Sequence, residues 1–305
     1  MKRENLVEHH RFLFENPFLD LKEIKFDNFI ITASGDDTKW IQETTEKIAE
    51  WRGVFRSAYM KWAITINGLV VAKEKYEKNK TPEFAFEIKS YRFIDGEYKI
   101  VPIAVWDAEI ASKAHFDSIP LVRTYGFTDL YNCLEEFVFD LYRIYWRYNP
   151  DNLIKGKEFK HLRDLKLKKD LGENELLHWE NGLNDRIDNW QRKKIYDNLG
   201  RVFLSYCNEI GLKTPKSYKN TSIETWAESI TGISIVRNSI VHGSKVVSKE
   251  LADFCKKPYS LGFGFNENEE LMIELHHLQQ FELFTNQLLS GINISFLEMF
   301  LKPDK

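Results

Sequence analysis

The stretch Ile235-Val236-Arg237-Asn238-Ser239-Ile240-Val241-His242-Gly243 closes a run that opens at Thr221, and its reading decides how the rest of the chain is read. Thr221 and Glu224 stand at capping-box spacing, and Gly243 stands where a left-handed C-terminal residue is expected, so the run is predicted as one helix. At 100° per residue, Trp226, Ile230, Ile233, Ile240 and Val241 share a face, and Arg237 falls inside that apolar stripe rather than opposite it. Asn238 and His242, four residues apart, lie on the neighbouring polar flank. A guanidinium, an amide and an imidazole therefore converge at one helix end. The guanidinium keeps its proton and pairs best with a carboxylate or a phosphate.

Outward from this run, three more apolar periods read as long helices, and the run is the third of four such segments spanning about Phe127 to Leu301. Thr128 is a candidate cap for the first, whose face carries Leu130, Leu134, Phe137, Val138, Leu141, Ile144, Tyr145 and Tyr148 before Pro150 stops it. Its acidic residues Glu135, Glu136 and Asp140 either supply a partner for Arg237 or form a solvated flank. The second segment lies between Glu173 and Gly211, with Leu183, Ile187, Trp190, Ile195, Leu199, Val202, Phe203, Tyr206 and Ile210 in period. Lys213 to Asn220 reads as the loop before the central run. Ser244 to Phe254 suggests a short helix, Pro258, Gly262 and Gly264 a loop or hairpin, and Leu278, Phe281, Phe284, Leu288, Ile292 and Phe296 the last helix.

Ahead of Phe127 the pattern changes. Residues up to about Asp37 show no period and suggest an irregular arm, with Asp37 or Thr38 as the next N-cap. From there Ile48, Trp51, Phe55, Tyr59, Trp62, Ile66 and Leu69 describe one long amphipathic helix, or two in line, weakened at Gly53 and Gly68. This aromatic stripe reads as core or dimer seam rather than a base-stacking platform. Pro82 ends any helix, and Phe84 to Phe93 and Glu97 to Trp106 read as strands joined by Asp95-Gly96, a type I′ hairpin signal. Ser118-Ile119-Pro120 to Gly126 looks like a link. The expected fold is mainly α: an α+β portion over residues 1–120, with a long helix and a hairpin, followed by a helical bundle over 121–305.

With 305 residues, of which 43% are hydrophobic, the chain can bury a sizeable core. The apolar runs are too short for a membrane span and the first residues lead into no signal-like segment, so a cytoplasmic protein is expected. Cys133, Cys207 and Cys255 are odd in number and far apart, which speaks against a disulfide framework or a Cys-rich zinc site. Net charge is −3, yet residues 150–260 hold 20 Lys/Arg against 15 Asp/Glu, so a basic surplus of five surrounds the central run while the remainder carries −8. Lys155 to Asp170 is a charged connector with seven of those cations, read either as plain solvation or as RNA contact. His276-His277 and His9-His10 lack the spacing of a helical zinc site, and there is no P-loop, Rossmann fingerprint or nucleophile elbow. No metal or cofactor is expected.

Arg237-Asn238, three residues, then His242 and Gly243 resembles the Arg-x(4 to 6)-His signature of HEPN domains, in the variant whose Arg is followed by Asn. The resemblance covers the helical part and not the first ~120 residues. It implies an all-helical domain and, as in many of its members, a metal-independent ribonuclease acting as a homodimer. It casts the chain as a toxin or phage-defence effector, with an antitoxin or regulatory partner. Related toxins paired with a nucleotidyltransferase antitoxin carry a Tyr two residues after the His, where this chain has Ser244.

The chemistry of the three residues fits that expectation. An imidazole titrates near neutral pH and can take the proton of an RNA 2′-OH or give one to the leaving 5′-oxygen. Arg237 supplies permanent positive charge to the phosphorane oxygens, and Asn238 can hold the ring or a phosphate oxygen. Attack by the 2′-OH needs no metal and leaves a 2′,3′-cyclic phosphate and a 5′-OH. Lys166, Lys168 and Lys169 of the connector and Lys245 beyond the motif are candidate substrate contacts. From another class comes the alternative of a non-catalytic helical RNA-binding or assembly module that keeps the motif for packing.

Overall fold

The computed structural model describes residues 29–79, 81 and 85–300. The arm expected before Asp37 lies outside the described residues through residue 28, as do Pro82, Phe84 and Leu301. Eight α-helices and one hairpin make up the described residues in the order α1 (Lys39–Lys78), β1 (Phe86–Ile94), β2 (Glu97–Trp106), α2 (Ala108–Tyr148), α3 (Lys160–Lys168), α4 (Glu173–Lys194), α5 (Leu199–Ile210), α6 (Ile223–Val241), α7 (Lys249–Cys255) and α8 (Leu275–Phe300). The fold is mainly α with a small hairpin, as expected. No helix among the described residues is long and apolar enough to cross a membrane.

The aromatic stripe of α1 is core. Ile48, Trp51, Phe55 and Ile66 are buried, Tyr59, Trp62 and Leu69 pack against the same cluster, and the helix runs through Gly53 and Gly68 as one 40-residue element capped at Thr38. It pairs antiparallel with α2. Trp51 Nε1 donates to Asp140 Oδ2 and Trp62 Nε1 to Asp129 Oδ2, both at 2.9 Å, which pins the register at two points eleven residues apart on each helix. α8 lies against α1 and α2, and its Phe281, Leu288, Ile292 and Phe296 complete the centre. α5 and α6 close the other side.

Several boundaries differ from the sequence reading, each for a tertiary or capping reason. Ser118 to Gly126 is helix rather than link: α2 begins at Ala108, where Asp107 accepts the Ile110 N–H, and Thr128 lies inside it with its hydroxyl on the Thr124 carbonyl. Pro120 sits mid-helix and lacks a ladder N–H, at a cost of ~3 kcal/mol or more, which packing against α1 on both sides offsets. Gly126 is no breaker, because a Cβ there would meet Leu278 at 2.7 Å and Trp62 at 3.0 Å; its missing side chain lets three helices close in. The second long segment is two helices. α4 stops at Lys194 with Ile195 as its C-cap although the apolar period continues, and Asn198 then caps α5 by accepting the Arg201 N–H and binds Thr231 of α6. The connector Lys155 to Asp170 contains α3, which rests on α4 through Leu162 and Leu165.

The hairpin turns at Asp95 (φ 55°) and Gly96 (φ 83°), the two positive φ values that a type I′ turn demands. Its strands pair from Phe86 opposite Trp106 to Ile94 opposite Glu97, with a register shift after Ile88.

Close approach makes two glycines behave in opposite ways. A Cβ at Gly200 would run into the Ala227 carbonyl oxygen and Thr231 of α6, whereas one at the exposed Gly68 meets nothing within 4 Å. Gly200→Ala is expected to lower unfolding free energy by about 1–3 kcal/mol through overpacking. Gly68→Ala should raise it by roughly 0.5–1 kcal/mol through helix propensity. Chemical denaturation checks both, and equal effects would show that α5 and α6 are not in backbone contact.

Candidate functional site

The central run is a helix, with its N-cap one residue later than expected. Ser222 accepts the Thr225 N–H while the Thr225 hydroxyl accepts from Ser222 N–H, completing the reciprocal box without Thr221 or Glu224. At the other end His242 is the C-cap and Gly243 takes φ 67°. Gly243 N–H reaches the Ile240 carbonyl and Ser244 N–H the Ser239 carbonyl, the paired bonds of a Schellman stop. The chain then pairs with the segment ahead of α8: Leu271 N–H donates to the Lys245 carbonyl and Val247 N–H to that of Glu269. The C-terminal turn is thus held from both sides.

Burial along α6 stops at Val236, and none of residues 237–246 is buried. The final turn passes the edge of the bundle, so Ile240 is half-buried and Val241 exposed, contrary to their expected place in the buried face. Arg237 stands at that edge. It is half-buried, its Cζ lies 5.1 Å from the centre of the Tyr131 ring of α2, and Nη1 donates to Asn238 Oδ1 at 3.2 Å. Nε is buried with no hydrogen-bond partner, and Arg237 forms no ion pair among the described residues. Asn238 and His242 are exposed beside it.

Of the candidate carboxylates, Asp140 is engaged by Trp51 and Arg143. Glu135 feels Arg237. Burial pushes its carboxyl up, and the guanidinium pulls it back without making an ion pair. Tyr131, one turn earlier on α2, is also raised by burial and interacts with Ser234 of α6. The site therefore sets a guanidinium near a carboxyl whose pKa burial raises above the usual glutamate value, at the rim of an apolar bundle. Tyr131 was not among the candidates. Its only sequence signal is its place one turn before Glu135.

The candidate lysines are dispersed. Lys245 is exposed just past the motif. Lys166 is tied to Asp151 at 2.6 Å, Lys168 is exposed and Lys169 half-buried on the connector, and no hydrogen bond or ion pair joins any of the three to the motif among the described residues. A cleft of about 590 Å³ opens between α3 and α4 around His161, His178, Asp185 and Arg186, on the connector and away from Arg237.

No group of three or more His, Cys, Asp or Glu side chains is placed to hold a metal among the described residues. His277 is a core group: its Nδ1 accepts the Glu274 N–H, so Nε2 carries the proton and donates to the Phe263 carbonyl, and burial holds the ring neutral with its pKa pushed down to about 4. No disulfide forms among the described residues, and Cys133 and Cys207 are buried.

Comparison with protein-family models, with curated proteins and with solved structures finds no match to this chain.

A structural ion pair and an uncompensated cation respond differently to removal of the charge. Replacing one partner of a buried pair costs about 3–5 kcal/mol, whereas removing an unpaired, partly buried charge while keeping the packing stem is neutral or stabilising. Arg237→Met is expected to leave the melting temperature unchanged or to raise it. A loss on the scale of a broken buried pair would assign Arg237 to the scaffold.

Proposed function

We propose that the chain is a metal-independent endoribonuclease of the HEPN type, acting in the cytoplasm as a toxin or phage-defence effector. The observation that carries this reading is Arg237, a half-buried guanidinium with no ion pair among the described residues, beside the exposed amide of Asn238 and one turn from the exposed imidazole of His242. A cation with no ion pair among the described residues can take an anion from outside, and its forked N–H groups match phosphate oxygens.

In the reaction the 2′-oxygen forms a bond to phosphorus and the bond from phosphorus to the 5′-oxygen breaks. One His242 takes the 2′-OH proton, and a second proton-carrying group gives one to the leaving 5′-oxygen. That second group is the other His242 of a homodimer. Arg237 bears the charge that develops on the non-bridging oxygens, and Asn238 holds the guanidinium or a phosphate oxygen. Lys245 beside the motif and Lys166, Lys168 and Lys169 of the connector add backbone contacts that guide RNA. The proton chemistry uses only side chains and the substrate's own hydroxyl, so the reading calls for neither metal nor cofactor. Restraint of such an activity by an antitoxin or regulatory partner belongs to the same reading.

Purified protein incubated with total RNA in EDTA tests it. Wild type is expected to release fragments ending in 2′,3′-cyclic phosphate and 5′-OH. His242→Ala should slow cleavage ~100-fold or more, the usual scale for loss of a general acid or base. Arg237→Ala should do comparable damage, since one transition-state charge contact contributes ~3 kcal/mol, and Arg237→Lys should restore little because a point charge cannot make the forked contact. Cleavage that survives His242→Ala but stops with chelator would place the chemistry elsewhere. An inactive wild type would hand the motif to a helical binding or assembly module.

A further inference from the structure

The hairpin formed by β1 and β2 stands outside the core. Nearly every residue of both strands is exposed, on both faces, and the two strands form a sheet by themselves. A two-stranded hairpin is marginal in water without a covered face. The pairing of Tyr91 with Ile100 and of Phe93 with Tyr98 puts these four on one face, two residues apart along each strand, and the Phe93 and Tyr98 rings meet edge to face at 5.1 Å. They are 71%, 61%, 67% and 76% exposed in that order. Val105, opposite Glu87, extends the same face toward the helices.

Three aromatic rings at ~150 Å² apiece, with Ile100 and Val105, come to roughly 600 Å² of apolar surface, the upper end of what a monomer leaves uncovered. The flanking Lys89 stem and Pro102 bring this near the ~800 Å² per partner of a standard stable interface.

We propose that this aromatic face of the hairpin is a self-association surface whose occupant is the same face of a second copy of the chain. Charge selects that occupant. Strands and turn carry Lys89, Arg92 and Lys99 against Glu87, Asp95 and Glu97, with Lys89 paired to Glu87 at 3.2 Å and Lys99 to Asp95 at 3.3 Å. A neutral surface meets its own copy across a two-fold axis without repulsion. A nucleic-acid strand needs a cationic surplus beside its stacking rings, and this face has none. The surface stands on exposure, area and charge balance, and holds whether or not Arg237 and His242 cleave RNA.

Sedimentation velocity on the full chain at micromolar concentration tests it. Wild type is expected to be a dimer, and the double variant Tyr91→Ser, Tyr98→Ser a monomer with unchanged helix content and melting temperature, its self-affinity reduced by roughly 100-fold or more as for loss of two central interface residues. As a second measurement, Tyr98→Cys should form a disulfide-linked dimer on mild oxidation while Lys99→Cys, on the opposite face, should not. A monomeric wild type, or a dimer that survives the double substitution, overturns the proposal. So does a monomer that binds single-stranded RNA through Tyr91 and Tyr98, which would make the face a stacking platform.

Discussion

Two indole N–H groups hold α1 against α2 in one antiparallel register, Trp51 on Asp140 and Trp62 on Asp129. A hydrogen bond to a charged acceptor nets only about 1.5–3 kcal/mol, small beside the apolar area that these two long helices bury, but apolar contact alone does not stop one helix sliding along another. The directional bonds do. A slip of a single turn, about 5.4 Å, would break both at once. The same register decides which part of α2 lies beneath α6, and so puts Tyr131 rather than a neighbouring turn under the Arg237 guanidinium. It also presents Gly126 to Trp62 and Leu278 where the three helices converge.

Much of this was legible in the residues, and what was not has an identifiable cause. Asp95-Gly96 dictated its own turn, because few other pairs accept two positive φ values in succession. The core of α1, the apolar face of α2 from Leu130 to Ile144 and that of α8 followed from period alone. The start of α2 did not, since Pro120 and Gly126 are local breakers that packing overrides, and their tolerance depends on helices far away in sequence. The break before α5 was hidden for the opposite reason: the apolar period runs on past Ile195 while a single cap, Asn198, starts a new helix. Of the site, the misplaced cation and the left-handed Gly243 were visible. Tyr131 was not, because it lies about a hundred residues upstream and only the helix register brings it there. Nor could a wheel of α6 show that the bundle ends at Val236, which leaves Val241 exposed.

The electrostatics give the site its character. Elsewhere on the chain, Arg123 pairs with Glu274, and Arg143 with Asp140 and Gln191, while buried Arg52 bonds the Ser290 hydroxyl and Arg186 the Leu153 carbonyl. Arg237 has an aromatic face, one amide oxygen and a nearby carboxyl, Glu135, that burial raises and the guanidinium lowers. A cation–π contact with a Tyr contributes about 0.5–2 kcal/mol, less than an ion pair to a phosphate in a partly desolvated site can add, so this rim is open to an anion from outside. The measurement that bears most directly on this claim is the thermal shift produced by a short oligoribonucleotide made uncleavable by 2′-deoxy substitution. The account predicts that this ligand raises the melting temperature of the wild type and not that of Arg237→Met. An equal shift for both proteins would contradict it.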